Sequence, residues 1–294
     1  AESTKETFTI EYQPKEISKP NLYVISISVS KYSDSAFNLQ YAVKDGRDIV
    51  NLFKNKQERF GKVIVDSLFD QQVNLEHIKS LKQKLMNTTV DDEVVIFISG
   101  HGLLDNQLNF YFASHQMDFN NPAENGIPYE ALEDLLDGIP ARNKLMLMDA
   151  CHSGETDIDE QLVGTTDTLQ INNEQTVKLR TYGHKGAVLP NNLKTGHVGL
   201  QNSFELMKVL FSEMDHGNGT VIISAAAGMG YAYESPEWNN GVFTYCVLNG
   251  MKNMAADINN DLEISVSELK TYVSREVENL TFGKQKPTSR RENI

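Results

Sequence analysis

Only two cysteines, Cys151 and Cys246, occur in the 294 residues of this chain. That is too few for the disulfide framework of a small secreted domain, and the spacing is not that of a zinc site. No apolar run approaches the roughly 20 residues of a membrane span. The N-terminus lacks the charged, then apolar, then small-residue pattern of a secretory signal, so a cytoplasmic location is expected. Positive charge is also short: 27 Lys and Arg stand against 40 Asp and Glu, a formal charge of −13. Such a balance opposes nucleic-acid binding and suits an encounter with a basic partner. No internal repeat is visible. What is present, 40 % hydrophobic and 23 % charged residues, is the composition of a globular chain that buries a large core, as one sizeable α/β domain or two smaller ones.

Residues 1–19 are polar, without sustained periodicity, and read as a linker or edge segment. Leu22–Val29 is β-branched and apolar, a first buried strand. Apolar residues at near-helical spacing predict a helix over Asn38–Asn55 with Asn38 as N-cap. Strands are expected at Val63–Phe69, Val94–Ser99, Leu145–Asp149 and Thr220–Ser224, and a small hairpin at Asn109–Ala113. Further helices are expected at Leu75–Met86, Tyr129–Leu136, Phe204–Phe211, Val242–Met251 and Ser265–Leu280. Strands alternating with helices predict a parallel sheet covered on both faces. Glu155–Asn202 is rich in Thr, Asn, Gln and Gly and has little apolar periodicity, the texture of a long functional or disordered connection.

Two of these strands end in reactive side chains. The run Lys144–Met148 closes in Asp149-Ala150-Cys151-His152-Ser153-Gly154, and Val94–Ile98 closes in Ser99-Gly100-His101-Gly102. Parallel strands present their carboxyl ends at one common edge, where ligands bind, so the thiol and the imidazole are expected side by side. That pairing points to a cysteine peptidase. Cys151 is then the nucleophile, His101 the acid-base, and the N–H groups of Gly102 and Cys151 the oxyanion hole. A glycine after the histidine lets the main chain approach a substrate closely. His152 is the rival base, but adjacent positions of an extended segment face opposite ways. A core cysteine and a surface histidine at strand ends by chance would account for either motif alone, and poorly for both. Cys246, in the apolar stretch Val242–Leu248, reads as a buried thiol.

SGHG followed 50 positions later by DACHSG resembles the caspase-like peptidases of clan CD, and among these the metacaspase and bacterial caspase-like branch. The resemblance runs from about Lys19 to the C-terminus, with 155–202 unmatched. It implies an α/β caspase-like three-layer sandwich, a mostly parallel six-stranded sheet with helices on both faces. It also implies peptide-bond hydrolysis with no cofactor required for the chemistry, and a peptidase domain over 20–294. That domain divides into a large-subunit-like part (20–154), a variable connection (155–202) and a small-subunit-like part (203–294). Animal caspases cleave after aspartate with arginines in the pocket, one of them in a small-subunit segment. The similar segment here, Gly230-Tyr231-Ala232-Tyr233-Glu234, has glutamate at that place. In the metacaspase branch the pocket comes from an aspartate after the first strand, a serine two before the histidine and an aspartate two before the cysteine. Here those are Asp45, Ser99 and Asp149. Carboxylates in a desolvated pocket select arginine or lysine, since an aspartate would meet like charge. The plainer readings are an exposed helix charge for Asp45, a cap for Asp149, and a pocket rim or solvent for Glu234.

The connection carries Lys178, Arg180, Lys185 and Lys194, processing sites for an enzyme with an acidic pocket. Caspase-like relatives are commonly cut between their large and small parts. Within Asp257–Glu268, oxygen side chains including Asp257, Asn259, Asp261 and Glu268 fall at the spacing of a calcium loop, but position six is Leu262 where such a loop wants glycine. An acidic turn and helix N-cap is the preferred reading there, calcium the alternative. The expected partners are a protein or peptide substrate with Arg or Lys before the cut, and a regulatory domain or upstream activator if the chain is part of a longer protein. Neither nucleic acid nor membrane is expected. The alternatives are another clan CD specificity, such as asparagine, or a binding module with little turnover.

Overall fold

Leu22–Ser28 (β1) reads LYVISIS and is buried along both faces because Val63–Phe69 (β2) and Glu93–Leu104 (β3) flank it in parallel and helices cover each side. The computed structural model describes residues 19–55, 57–105, 107, 109–152, 167–171, 175–179, 219–225 and 232–290. At 57, 151–152, 167–171, 175–179 and 289–290 it describes the backbone alone. The helix expected near Phe204–Phe211 and most of the N-terminal segment lie outside these residues.

In chain order the further elements are helices Ala42–Lys54 (α1) and Leu75–Leu85 (α2), short strands Phe110–Phe112 (β4) and Ile127–Pro128 (β5), helix Tyr129–Glu133 (α3) and strand Asn143–His152 (β6). Strands Asp167–Ile171 (β7) and Gln175–Leu179 (β8) follow, then Thr220–Ser224 (β9), Glu234–Ser235 (β10), Asn240–Gly241 (β11), helices Val242–Lys252 (α4) and Val266–Leu280 (α5), and strand Thr288–Arg290 (β12). The main sheet runs β12-β9-β6-β3-β1-β2, with β4 pairing the far end of β3 and β5 pairing β4. All pairings along the main run are parallel except β12 on β9. The order reverses direction between β1 and β3, the kind of crevice in which α/β sheets bind ligands.

Two cores occupy the two faces, and alternation along each strand sorts residues between them. Leu22, Val24, Val95, Phe97, Leu147 and Ile223 pack with residues of α1, α4 and α5. Ile25, Ile27, Val94, Ile96, Ile98, Met146 and Met148 pack with α2, α3 and the 103–119 segment. This is the expected three-layer sandwich, with the six-stranded path at its centre.

Several boundaries move. β3 and β6 run through His101 and Cys151 instead of stopping at Ser99 and Asp149. α1 starts at Ala42 with Tyr41 as N-cap; Asn38 instead accepts the Tyr32 amide at 2.8 Å, which diverts it from the helix start. α3 is one short helix ending at Glu133. Within the connection, β7 and β8 form an antiparallel hairpin that the composition of 155–202 did not suggest. β12, from a polar tail segment, closes the sheet edge.

Candidate active site

The parallel register of β3 and β6 sets His101 opposite Cys151 and Gly102 opposite His152. Neighbouring strands lie about 4.8 Å apart, so the two positions of the candidate dyad are adjacent at the carboxyl end of the sheet. The ladder thus carries both residues in its last rung but one. Residues 150, 100 and 99 form the preceding rungs, and Ser99 lies opposite both Asp149 and Ser28.

His101 is 4 % exposed and held on several sides. Its Nε2 lies 2.8 Å from the carbonyl oxygen of Phe37. A carbonyl only accepts, so Nε2 carries a proton, and in the neutral tautomer this leaves the lone pair on Nδ1. The His101 amide donates to the Tyr32 hydroxyl at 3.1 Å, which itself donates to the Val29 carbonyl at 3.1 Å. The rings of Tyr32, Phe119 and Phe37 surround the imidazole at centroid distances of 5.1, 5.8 and 6.4 Å. Phe37 and Phe119 stack at 3.7 Å. Gly100 makes room for this arrangement, since a Cβ there would meet the Phe112 ring at 3.0 Å and the Tyr32 hydroxyl at 3.1 Å.

Asp45 and Asp149 are both fully buried, and both meet the start of α4. Asp45 accepts from Asn240 Nδ2 at 2.8 Å and from the Gly241 amide at 3.2 Å. Asp149 Oδ2 accepts from the Thr244 hydroxyl at 2.7 Å. Gly241 is the N-cap and Thr244 lies in the first turn, so the carboxylates face the positive end of the helix dipole. Asn240 also donates to Asp48 at 2.9 Å, and Asp48 pairs with Lys44 at 2.6 Å. The plain reading of Asp45 as an exposed helix charge is therefore replaced by a buried, hydrogen-bonded one.

Glu234 is not on a solvent rim. It is 2 % exposed, and its two oxygens accept the amides of Gln40 at 2.8 Å and Tyr41 at 3.2 Å. Tyr41 offers α1 no side-chain cap, so Glu234 supplies one from the far part of the chain. The Tyr41 phenol is pushed up, first by burial and then by the charges of Glu234 and Asp45, which places both carboxylates beside it. Cys246 is a buried free thiol pushed up to about 12 by burial, with Glu276 and Asp149 adding to the effect. It has no thiolate character at neutral pH.

The loop 257–268 is an acidic turn closed on itself. Asp257 accepts the Leu262 amide at 3.0 Å, Asn259 and Asp261 accept the amides of Asp261 at 2.8 Å and Glu263 at 2.9 Å, and Glu268 accepts from Ser265 at 2.9 Å. Leu262 takes φ 68 without being glycine. Among the described residues no group of three or more His, Cys, Asp and Glu is arranged to hold a metal ion. Among the same residues no helix is long and apolar enough to cross a membrane. Of the processing candidates, Lys178 lies in β8, opposite Thr168; Arg180, Lys185 and Lys194 lie outside the described residues.

Sequence reasoning missed Tyr32, Phe37, Phe119, Asn240 and Thr244. Phe37 acts through a backbone carbonyl, which leaves no mark in the sequence. Asn240-Gly241 just before an apolar helical run was a readable cap signal.

The sequence matches the caspase-domain family model over residues 23–294. A solved structure of a Geobacter sulfurreducens protein is similar to it with a TM-score of 0.59 and 12 % identity, covering 92 % of this chain and 93 % of that one. At that identity the likeness speaks for the fold. Among curated protein sequences none matches.

Proposed function

We propose that this chain, which belongs to the caspase-domain family and so is a cysteine peptidase, is an endopeptidase of metacaspase type that cuts after arginine or lysine. The observation that carries the specificity is the pair of fully buried carboxylates, Asp45 and Asp149, gathered at the first turn of α4. A substrate cation brought to them gains two charge partners, whereas an aspartate would meet two like charges in a desolvated site. Ser99, in register with Asp149, completes the set. Both carboxylates are fully buried, and we propose a zymogen-like resting form in which substrate or processing opens the way to them.

In the reaction, Cys151 Sγ loses its proton to His101 and bonds to the scissile carbonyl carbon. The amides of Gly102 and Cys151 receive the oxyanion. His101 returns the proton to the leaving amine as the C–N bond breaks, and then draws a proton from the water that hydrolyses the thioester. The Phe37 carbonyl fixes the His101 ring throughout. No step needs a metal.

Fluorogenic peptides differing only in the residue before the cut test the reading. Arg and Lys peptides are expected to be turned over, Asp and Asn peptides negligibly, and Cys151→Ala and His101→Ala to lose activity by several orders of magnitude. Asp149→Asn is expected to cost about 2–5 kcal/mol in kcat/KM for an Arg peptide. Equal turnover of Asp and Arg peptides would sink the pocket assignment. Near-normal turnover by His101→Ala would move the base to His152.

A further inference from the structure

Neither carboxylate of the proposed pocket is held by its own part of the chain alone. Asp45 comes from α1 and Asp149 from β6, yet the donors named above lie within five residues of the small-subunit-like part: Asn240 and Gly241 on Asp45, Thr244 on Asp149. We infer that the first turn of α4 sets the specificity of this peptidase, with Thr244 and Asn240 as positioning residues that orient the two acids toward a guanidinium. The inference rests on the Arg/Lys reading above and adds to it the device that discriminates between the two basic side chains.

The physical case begins with Thr244. Its side chain is fully buried, and its hydroxyl donates to Asp149 Oδ2 at 2.7 Å. The bond runs from the hydroxyl to the carboxylate oxygen and restrains rotation of the Asp149 carboxylate about its last torsion. Asn240 does the same for Asp45. It is 6 % exposed and its Nδ2 reaches Asp45 Oδ1 at 2.8 Å and Asp48 Oδ2 at 2.9 Å, bridging two like charges on successive turns of α1. The N-cap amide of Gly241 and the dipole of the 11-residue helix α4 add positive potential to both. The two carboxylates are thereby kept aimed by donors from a single turn of chain.

Aim matters more for one substrate than the other. Guanidinium is a planar fork that binds carboxylate through paired, directional hydrogen bonds, whereas ammonium is a rotatable point charge. Loss of orientation should therefore penalise arginine more than lysine. Loss of charge would penalise both alike.

The test is kcat and KM for matched Arg and Lys peptides with the wild type, Thr244→Val, Thr244→Ser and Asn240→Ala. Thr244→Val keeps shape and removes the donor. It is expected to lower kcat/KM for the Arg peptide about 10- to 100-fold, chiefly through KM, and that for Lys less, so that the Arg/Lys ratio falls. Thr244→Ser restores the donor and is expected to recover the ratio. Asn240→Ala is expected to lower the ratio too. Alkylation by iodoacetamide reads Cys151, since Cys246 is buried and its thiol is pushed up to about 12. An unchanged alkylation rate in Thr244→Val assigns the loss to the pocket. An active wild type with an Arg/Lys ratio that Thr244→Val leaves untouched overturns the inference while the basic specificity stands. Equal losses on Arg and Lys, or a Val variant that Ser does not rescue, overturn it as well. A wild type that turns over neither basic peptide overturns the specificity reading and this inference with it.

Discussion

A methyl group at position 46 would lie 2.4 Å from the hydroxyl oxygens of both Ser26 and Ser28, and 3.1 Å from the Phe69 ring. The hydroxyls belong to β1 and the glycine to α1, so helix and sheet meet at close range here, one residue from Asp45. Gly46→Ala is expected to destabilise the fold by about 1–3 kcal/mol, the range for overpacking, and to weaken Arg-peptide binding by shifting Asp45. Urea unfolding gives the first and KM the second; wild-type values for both would show that α1 yields without cost. Phe119 offers a second residue-scale test. Its ring stacks on Phe37, whose carbonyl orients His101. Phe119→Leu is expected to lower kcat with little change in KM, since the base and not the substrate is disturbed. At this scale the candidate site was legible where side chains mark it: His101 and Cys151 stood out by motif, Asp149 by its place two before the thiol. Tyr32, Phe37 and Thr244 were not, because a backbone carbonyl and single hydrogen bonds across long sequence separations leave no periodic trace.

Helix ends tell more at the scale of elements than helix middles do. α5 begins in a reciprocal capping box, Ser265 with Glu268, at the expected place. The Glu268 carboxyl is held below its ordinary value, mainly by the amide and then the hydroxyl of Ser265, with the amides of Asn259 and Ile258 contributing. A depressed acid gives stability that is present above its unfolded-state value and is lost as pH falls through the folded one. Thermal melts from neutral to acid pH should therefore fall less steeply for Glu268→Gln than for the wild type. Ser265→Ala is expected to cost about 1 kcal/mol at neutral pH, read by urea unfolding; no loss would show that the turn 257–268 supports itself. α1 shows the opposite case. Its periodicity was readable, but its start was displaced from Asn38 to Ala42 because the cap comes from Glu234, some 190 residues away in sequence. The strands β3 and β6 ran longer than their apolar runs for a similar reason: polar residues at 99–102 and 149–152 are kept in the ladder by each other.

The large-subunit-like and small-subunit-like parts are interlocked across the whole molecule, not merely tethered by 155–202. β6 pairs β9 over five registered positions, Glu234 caps α1, and Asp45 takes the amide that opens α4. A cut in the connection should leave these contacts standing, so a nicked protein is expected to purify as one species. In sequence the connection follows the strand that carries Cys151. Of its basic residues, Lys178 is paired within β8, and a protease needs an extended, unpaired segment to add to its own cleft. Self-processing is therefore expected after Arg180, Lys185 or Lys194 in preference to Lys178. Incubation followed by intact-mass and N-terminal analysis should find new termini after one or more of the three in the wild type. Cys151→Ala should stay a single uncut chain. Changing these three to Ala should keep the wild type whole and lower its peptidase activity, if cutting is what uncovers Asp45 and Asp149. A wild type that stays intact on prolonged incubation, with activity unaltered by the three substitutions, would make the connection a passive insertion and put the opening of the pocket down to substrate alone.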